Sequence, residues 1–129
     1  MAFLTFKGGI HPYDGKALTK DSPAETYLPR GEMVYPLSQH IGAPASPVVQ
    51  KGDYVKRGQK IGEAGGFVSA PVHSSVSGTV KGMEMRLGAT GTMANSIIIE
   101  NDGKYEETEF VPARLEELTK EEILKRIQD

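Results

Sequence analysis

The residues best suited to chemistry in this chain are three histidines, His11, His40 and His73. An imidazole can carry a phosphoryl group, move a proton or bind a metal ion. Metal-binding histidines on a helix are typically four residues apart, and these three have no such spacing. His40 and His73 each lie near an Ala-Pro pair. We therefore predict no metal site, and we predict that both rings are hydrogen-bonded to backbone in a structural role.

Other nucleophilic side chains give weaker signals. The chain has no cysteine, which excludes disulfides, thiolate-bound metal clusters and a cysteine nucleophile within these residues. Ser74, Ser75 and Ser77 follow His73, but no spacing supplies the third group that orients a catalytic base. The segment Gly88-Ala-Thr-Gly91 is too short for a phosphate-binding loop. The sequence therefore predicts no catalytic, cofactor-binding or metal-binding residue.

The elements that position these residues are predicted to be short β-strands. The chain has 15 glycines and 8 prolines among 129 residues, above the average combined share of about 12%, so it turns often. Short apolar runs recur between turn residues over 33–99. Val55, the one aliphatic residue of a turn rich in glycine and lysine, is predicted to point into a core. Met83 and Met85 are predicted to face the core together, because they are two residues apart.

A weak internal repeat indicates two sheets. Ala43-Pro44 and Ala70-Pro71 each precede a segment that contains valine and closes on a glycine, Gly52 in the first unit and Gly82 in the second. Two such hairpins predict two sheets related by a pseudo-two-fold axis, with a small core between them. We predict that the all-β body covers residues 32–111.

The two flanks of this body differ from it in composition. Residues 1–31 are broken by glycine and proline and are predicted to form an irregular N-terminal arm. Residues 112–129 contain one helix, because Thr119 and Glu122 have the spacing of a capping box. This helix reaches Asp129 without a glycine or proline cap. We therefore expect a fragment of a longer polypeptide, with residues 112–129 as a helical linker.

Charge and hydropathy exclude two kinds of partner. The formal net charge is −2, whereas a nucleic-acid-binding domain typically has a basic excess. No apolar run approaches the roughly 20 residues that cross a bilayer. We expect no nucleic-acid partner and no direct membrane span.

Four blocks of sequence resemble one known family. They are Phe6-Lys-Gly-Gly-Ile-His-Pro12, Pro36-Leu-Ser-Gln-His-Ile-Gly-Ala-Pro44, Val49-Gln-Lys-Gly-Asp-Tyr-Val-Lys-Arg-Gly-Gln59 and Ile61-Gly-Glu-Ala-Gly-Gly-Phe-Val-Ser-Ala-Pro-Val-His-Ser-Ser-Val-Ser-Gly-Thr-Val80. In this order they are similar to the N-terminal region of the C subunit of the Rnf electron transport complex, an ion-translocating ferredoxin:NAD oxidoreductase of bacterial membranes. The resemblance covers most of the chain.

The resemblance implies a fold, cofactors and partners. The fold would be a barrel-sandwich hybrid, similar to biotinyl and lipoyl domains. FMN, NAD(H) and two 4Fe–4S clusters would belong to the full-length subunit, in regions that follow these residues. Residues 112–129 would then be the helical linker toward a missing nucleotide or flavin domain. The partners would be other subunits of a membrane complex. The module would lie peripherally on the cytoplasmic side of the bacterial cell membrane.

Carrier domains of this architecture present an exposed lysine at a hairpin tip, where biotin or lipoate is attached. Here Gly65-Gly66 stand at that tip, and the nearest lysines, Lys60 and Lys81, lie outside the turn. We therefore expect no covalent biotin or lipoate, and we predict a tight tip whose glycines adopt positive φ. A tight tip also lets the backbone of a partner approach. The candidate interface residues are Gly65, Gly66, Phe67, His40 and His73.

The predicted function is that of a non-catalytic N-terminal module of this C subunit, which at full length takes part in electron transfer between ferredoxin and NAD coupled to ion translocation. Two alternatives remain. His40-Ile-Gly42 followed by Gly52-Asp53 is similar to glucose-type phosphotransferase domains, in which His40 would carry the phosphoryl group. That chemistry needs a second imidazole, and His11 and His73 are poorly placed to supply it. The other alternative is a free-standing adaptor module.

Overall fold

The described part of the chain, Gly8 and residues 12–129 of the computed structural model, is built mainly from β-strands. The seven strands are β1 (Glu32–Pro36), β2 (Ser46–Pro47), β3 (Tyr54–Val55), β4 (Lys60–Glu63), β5 (Val72–His73), β6 (Gly78–Leu87) and β7 (Met93–Asn101). One α-helix, α1 (Lys120–Gln128), follows them, and two short 3₁₀ helices lie at Lys16–Leu18 and Leu115–Glu117. The predicted all-β class with one C-terminal helix is confirmed.

The strands form two small sheets. One has four strands in the order β1-β7-β6-β3, and the other has three in the order β2-β4-β5. Every pair of neighbouring strands is antiparallel. The segments that close the two repeat units pair with each other, since Tyr54 lies opposite Thr79. The pseudo-two-fold axis itself stays a prediction.

A single apolar cluster forms the core of the body. Its members are Tyr35, Leu37, Ala45, Val49, Val55, Ile61, Val72, Val76, Val80, Ile97 and Ile99. Val55 is fully buried, so its predicted orientation is confirmed. Valine and isoleucine dominate because branched side chains pack well on pleated strands.

The hairpin of β6 and β7 is longer than the core beneath it. Met83 lies opposite the buried Ile97, and Met85 lies opposite Asn95. The two methionines therefore share the core face of the sheet, as their spacing predicted. Their predicted burial was wrong, since Met85 is 57% exposed and Met83 is exposed as well. The reason is length: both strands continue beyond the residues that the core cluster covers.

The arm is irregular where it is described. Residues 12–31 contain the short helix Lys16–Leu18 and no strand, which agrees with the predicted irregular arm. His11 and most of the first sequence block lie outside the described residues. The carbonyl of Pro29 accepts hydrogen bonds from Asn101 Nδ2 and Tyr105 Oη, both at 2.6 Å. The segment before β1 and the segment after β7 therefore meet at one corner of the body.

Helix α1 begins at the predicted capping box. Thr119 Oγ1 accepts a hydrogen bond from the backbone of Glu122 at 3.3 Å, and the Glu122 carboxylate accepts one from the Thr119 backbone at 2.8 Å. The end of the helix contacts the body through an ion pair between Lys60 Nζ and Asp129 Oδ1 at 2.6 Å. Within the described residues, no helix has both the length and the apolar composition that a bilayer crossing requires.

The turn after β7 is fixed by the carboxylate of Asp102. It accepts hydrogen bonds from the Lys104 backbone at 2.9 Å, the Ser77 hydroxyl at 2.7 Å and the Tyr54 hydroxyl at 2.9 Å. These hydrogen bonds hold the pKa of Asp102 below its ordinary value of 3.8. The bond from the Lys104 N–H has the largest effect, the bond from Ser77 the next largest, and the bond from Tyr54 a smaller one. Ser77, a buried serine of the run that follows His73, therefore has a structural role.

This lowered pKa predicts an acid-dependent loss of stability. The folded state favours the ionised carboxylate of Asp102, so this group contributes its full stabilisation above pH 3.8. The stabilisation is lost as the pH falls below 3.8 and passes through the lower pKa of the folded state. Urea unfolding from about pH 5 to about pH 2 should show a shallower pH dependence for Asp102→Asn than for the wild type. Asp21→Asn is the control, because Asp21 is exposed and hydrogen-bonds to no described residue. Identical slopes for wild type and Asp102→Asn would contradict the assignment.

Candidate functional site

Two loops at one end of the three-stranded sheet are joined into what we call the two-loop platform, residues 40–44 and 65–70. The first loop leads into β2 and the second connects β4 to β5. The backbone of Ala43 donates to Val68 O at 3.0 Å. The hydroxyl of Ser69 donates to Ala43 O at 2.8 Å and accepts from the Gly65 backbone at 2.9 Å. Ser69 therefore holds the tip of the second loop onto the first.

Two glycines let these loops touch. A Cβ placed on Gly65 would overlap the carbonyl oxygen of Pro44, and one placed on Gly42 would overlap the carbonyl oxygen of Val68. Gly42 also has φ +104°, whereas neither Gly65 nor Gly66 has positive φ. The predicted positive-φ tip was therefore wrong. Glycine is required at Gly65 because a backbone approaches closely, and that backbone belongs to the same chain.

His40 fastens the platform from the first loop. Its Nε2 accepts a hydrogen bond from the Ala70 backbone at 3.1 Å, and its Nδ1 lies 3.2 Å from Ile41 O. Because Nε2 accepts, Nδ1 must carry the proton of the neutral ring and donate it to the carbonyl. The predicted hydrogen bonding of the His40 ring to backbone is confirmed. Neither ring nitrogen is free to attack phosphorus, so this geometry disfavours the phosphocarrier alternative.

His73 lies apart from this hydrogen-bonded arrangement. It is exposed on β5, opposite Lys60, and its ring makes no hydrogen bond within the described part of the chain. The predicted backbone hydrogen bond was therefore wrong for His73. Together with Gly66 and Phe67, it lines an open groove whose other wall is the end of α1, including Ile127 and Asp129.

The platform displays a small apolar surface. Phe67 is fully exposed, and Ile41 and Val68 are exposed beside it in the two loops. Large apolar side chains on a fixed, exposed backbone are typical of protein–protein contacts. Ile41 and Val68 were missed by the sequence analysis. The available signal was an aliphatic residue within a loop rich in glycine and proline, where polar residues are usual.

The described residues do not fit the cofactors that the family resemblance implies. An iron–sulfur cluster needs thiolates, and the chain has no cysteine. Nucleotide phosphates bind at helix N-termini because backbone N–H groups and the helix dipole favour negative charge there, whereas the first turn of α1 already carries the carboxylates of Glu121 and Glu122. No group of three His, Asp or Glu side chains within residues 12–129 is arranged to hold a metal ion.

Two antiparallel sheets around one apolar core define a barrel-sandwich hybrid domain. Comparison with known families agrees with this class. The family model of the RnfC barrel sandwich hybrid domain matches residues 4–104. The chain belongs to this family, which confirms both the fold and the family that the sequence blocks predicted.

Three curated relatives show how the chain relates to longer proteins. It is 50% identical over 103 residues to the C subunit of the Na(+)-translocating ferredoxin:NAD(+) oxidoreductase complex of Acetobacterium woodii, covering 77% of the chain and 22% of the relative. It is 41% identical over 127 residues to the C subunit of the proton-translocating ferredoxin:NAD(+) oxidoreductase complex of Clostridium ljungdahlii, covering 97% and 28%. The C subunit of the ion-translocating oxidoreductase complex of Rhodobacter capsulatus is 36% identical over 127 residues, covering 96% and 24%. The chain thus spans about a quarter of the length of these relatives.

Proposed function

We propose that the chain is a non-catalytic module of the C subunit of an ion-translocating ferredoxin:NAD oxidoreductase complex, and that the two-loop platform docks it against a neighbouring subunit. The observation that carries this proposal is Phe67. It is fully exposed, yet the backbone around it is held by hydrogen bonds from Ala43, Gly65, Ser69 and Ala70. Because the loop backbone is already ordered, binding through Phe67 costs little further ordering of the loop.

In the full-length protein, one part then positions the subunit within the complex and another part carries the redox cofactors. Residues 1–31 are the arm, 32–111 the positioning body and 112–129 the linker. FMN, NAD(H) and two 4Fe–4S clusters belong to the other regions of the full-length subunit. The absence of cysteine and the greater length of the relatives support this division. The module then lies peripherally on the cytoplasmic side of the membrane, carried there by its partner subunits.

The platform supplies affinity by burying Phe67 and its neighbours. Burial of a phenylalanine side chain contributes about 1.5–3 kcal/mol. Interface energies concentrate in a few such anchors, surrounded by contacts that exclude water. Ile41 and Val68 are placed to form that surround, because the Ala43–Val68 hydrogen bond keeps their loops together.

Replacing Phe67 by serine tests the proposal in the assembled complex. We expect the variant to be retained by the other subunits with an affinity at least about ten-fold lower, which corresponds to about 1.4 kcal/mol. Electron transfer through the complex should fall with retention, whereas NADH oxidation by the isolated full-length subunit with an artificial acceptor should not change. Affinity is measured by titrating the tagged full-length protein against the remaining complex.

Tyr13→Ser is the matched control, since Tyr13 is an exposed aromatic residue of the arm. Thermal unfolding of both variants should match the wild type, because neither side chain is buried. Retention at wild-type affinity by the double variant Ile41→Ser, Phe67→Ser would overturn the docking role.

A further inference from the structure

Beyond Val80, β6 has a neighbouring strand on one side only. β7 pairs with β6 along its whole length, as far as Leu87 opposite Met93. On the other side, β3 pairs with Gly78 and Thr79, and the backbone of Gly52 and Asp53 just before β3 pairs with Val80. A register shift between Val80 and Gly82 marks a bulge, and bulges bend a strand away from its neighbour. Residues 82–87 therefore form an open β6 edge, along which no described strand satisfies the outward backbone N–H and C=O groups.

One face of this open β6 edge is apolar. Met83, Met85 and Leu87 alternate along the strand and are exposed, and Met93 lies exposed beside Leu87 on β7. Four large apolar side chains thus share one face. Methionine is flexible and polarizable, and it adapts to the shape of a partner. A strand added at this edge would bury every second side chain against the methionines.

On the opposite face of the hairpin, the charged side chains of β6 form ion pairs within the described residues. Arg86 forms ion pairs with Glu84 at 2.7 Å and with Glu32 at 3.1 Å. Lys81 pairs with Glu32 at 3.1 Å and with Glu100 at 3.2 Å. The charges of Glu84 and Arg86 are therefore directed to the face opposite the methionines. The open edge itself carries no proline and no inward charge, two devices that natural edge strands use to prevent pairing.

A basic side chain marks one end of the open β6 edge. Lys51 and Gln50 line a shallow groove with Gly82 and Met83. Lys51 is exposed and forms no ion pair with any of the described residues. An acidic side chain on an added strand would meet it there.

We propose that the open β6 edge binds an extended segment of a partner subunit by strand addition. The segment has apolar residues at alternate positions and an acidic residue beside Lys51. Strand addition uses main-chain hydrogen bonds for affinity and alternate side chains for specificity. This inference rests on the proposed function, because it assumes that the module docks within a complex, but it concerns a surface distinct from the two-loop platform.

Hydrogen–deuterium exchange of the purified complex, compared with the isolated C subunit, tests the inference. We expect the amides of residues 82–87 that point away from β7 to exchange at least ten-fold more slowly in the complex, while Thr79, paired on both sides, does not change. Met85→Lys should weaken retention at least ten-fold and abolish the added protection. Thr79→Lys is the control, because Thr79 lies on the same strand with its side chain on the ion-paired face.

A photo-crosslinking amino acid at Met85 identifies the occupant. The expected product joins Met85 to an extended segment of another subunit, and this segment contains an acidic residue. A crosslink to a second copy of the chain, or to a helical segment, would overturn strand addition. If assembly depends on Phe67 but hydrogen–deuterium exchange at residues 82–87 is the same in the complex and in the isolated C subunit, this inference alone is overturned. Failure of the full-length protein to assemble with any partner would overturn both proposals.

Discussion

Replacing Gly42 by alanine is expected to destabilise the folded chain by about 2–5 kcal/mol. Two penalties add at this position. The backbone has φ +104°, where a side chain is strained, and the new Cβ would overlap the carbonyl oxygen of Val68. That carbonyl is itself held by the Ala43 backbone at 3.0 Å. The overlap is therefore relieved only if the two loops separate, which also removes the backbone support of Phe67.

Gly52→Ala separates these two penalties. Gly52 has φ +97°, and nothing lies within 4 Å of a Cβ placed there. Only the conformational penalty applies, so we expect a loss of about 1–2 kcal/mol. Urea unfolding followed by circular dichroism gives both values, and the difference between them measures the loop contact. Equal losses for the two variants would contradict the close approach at Gly42.

A second large effect is expected in the core, where Ile99→Ala should reduce the free energy of unfolding by about 2–5 kcal/mol. Ile99 is fully buried on β7, between Met33 of β1 and Val80 of β6. Truncation leaves a cavity in a core of only a few branched side chains, and a domain of this size has about 5–15 kcal/mol of stability in total. Urea unfolding at neutral pH measures the loss.

Ile127→Ala is the control for the core prediction. Ile127 lies in α1 and is 75% exposed, so the same change of side chain should alter the free energy of unfolding by no more than about 0.5 kcal/mol. A loss below about 1 kcal/mol for Ile99→Ala would mean that the core collapses around the cavity.

Local sequence signals predicted the elements that a few neighbouring residues determine. Val55 points inward because its turn leaves one aliphatic position, and α1 begins at Thr119 because a capping box needs only residues within one turn. Met83 and Met85 show where local signals end. Their shared face follows from a two-residue period, but their exposure depends on how far the core extends beneath β6, which is decided by residues distant in sequence.

The candidate site was predicted only in part, because some of its features depend on contacts between residues distant in sequence. Gly65, Phe67 and His40 were named from the sequence as candidate interface residues, and the backbone hydrogen bonding of His40 was predicted as well. The reason for glycine at Gly65 was not, because contact with Pro44 depends on the pairing of β2 with β4. His73 could have been placed correctly by alternation: Val72 is buried on β5, so the next side chain points outward.

The corner where Pro29 meets Asn101 and Tyr105 ties the arm to the end of β7. The two hydrogen bonds to the Pro29 carbonyl are short, and the backbone of Asn101 also donates to Gly31 O at 3.2 Å. The segment after β7 then continues along the body, since Arg57 N–H donates to Glu106 O at 2.8 Å and Thr108 N–H donates to Arg57 O at 3.0 Å. A pull on the arm is therefore transmitted through one carbonyl to the end of β7 and to the segment that follows it.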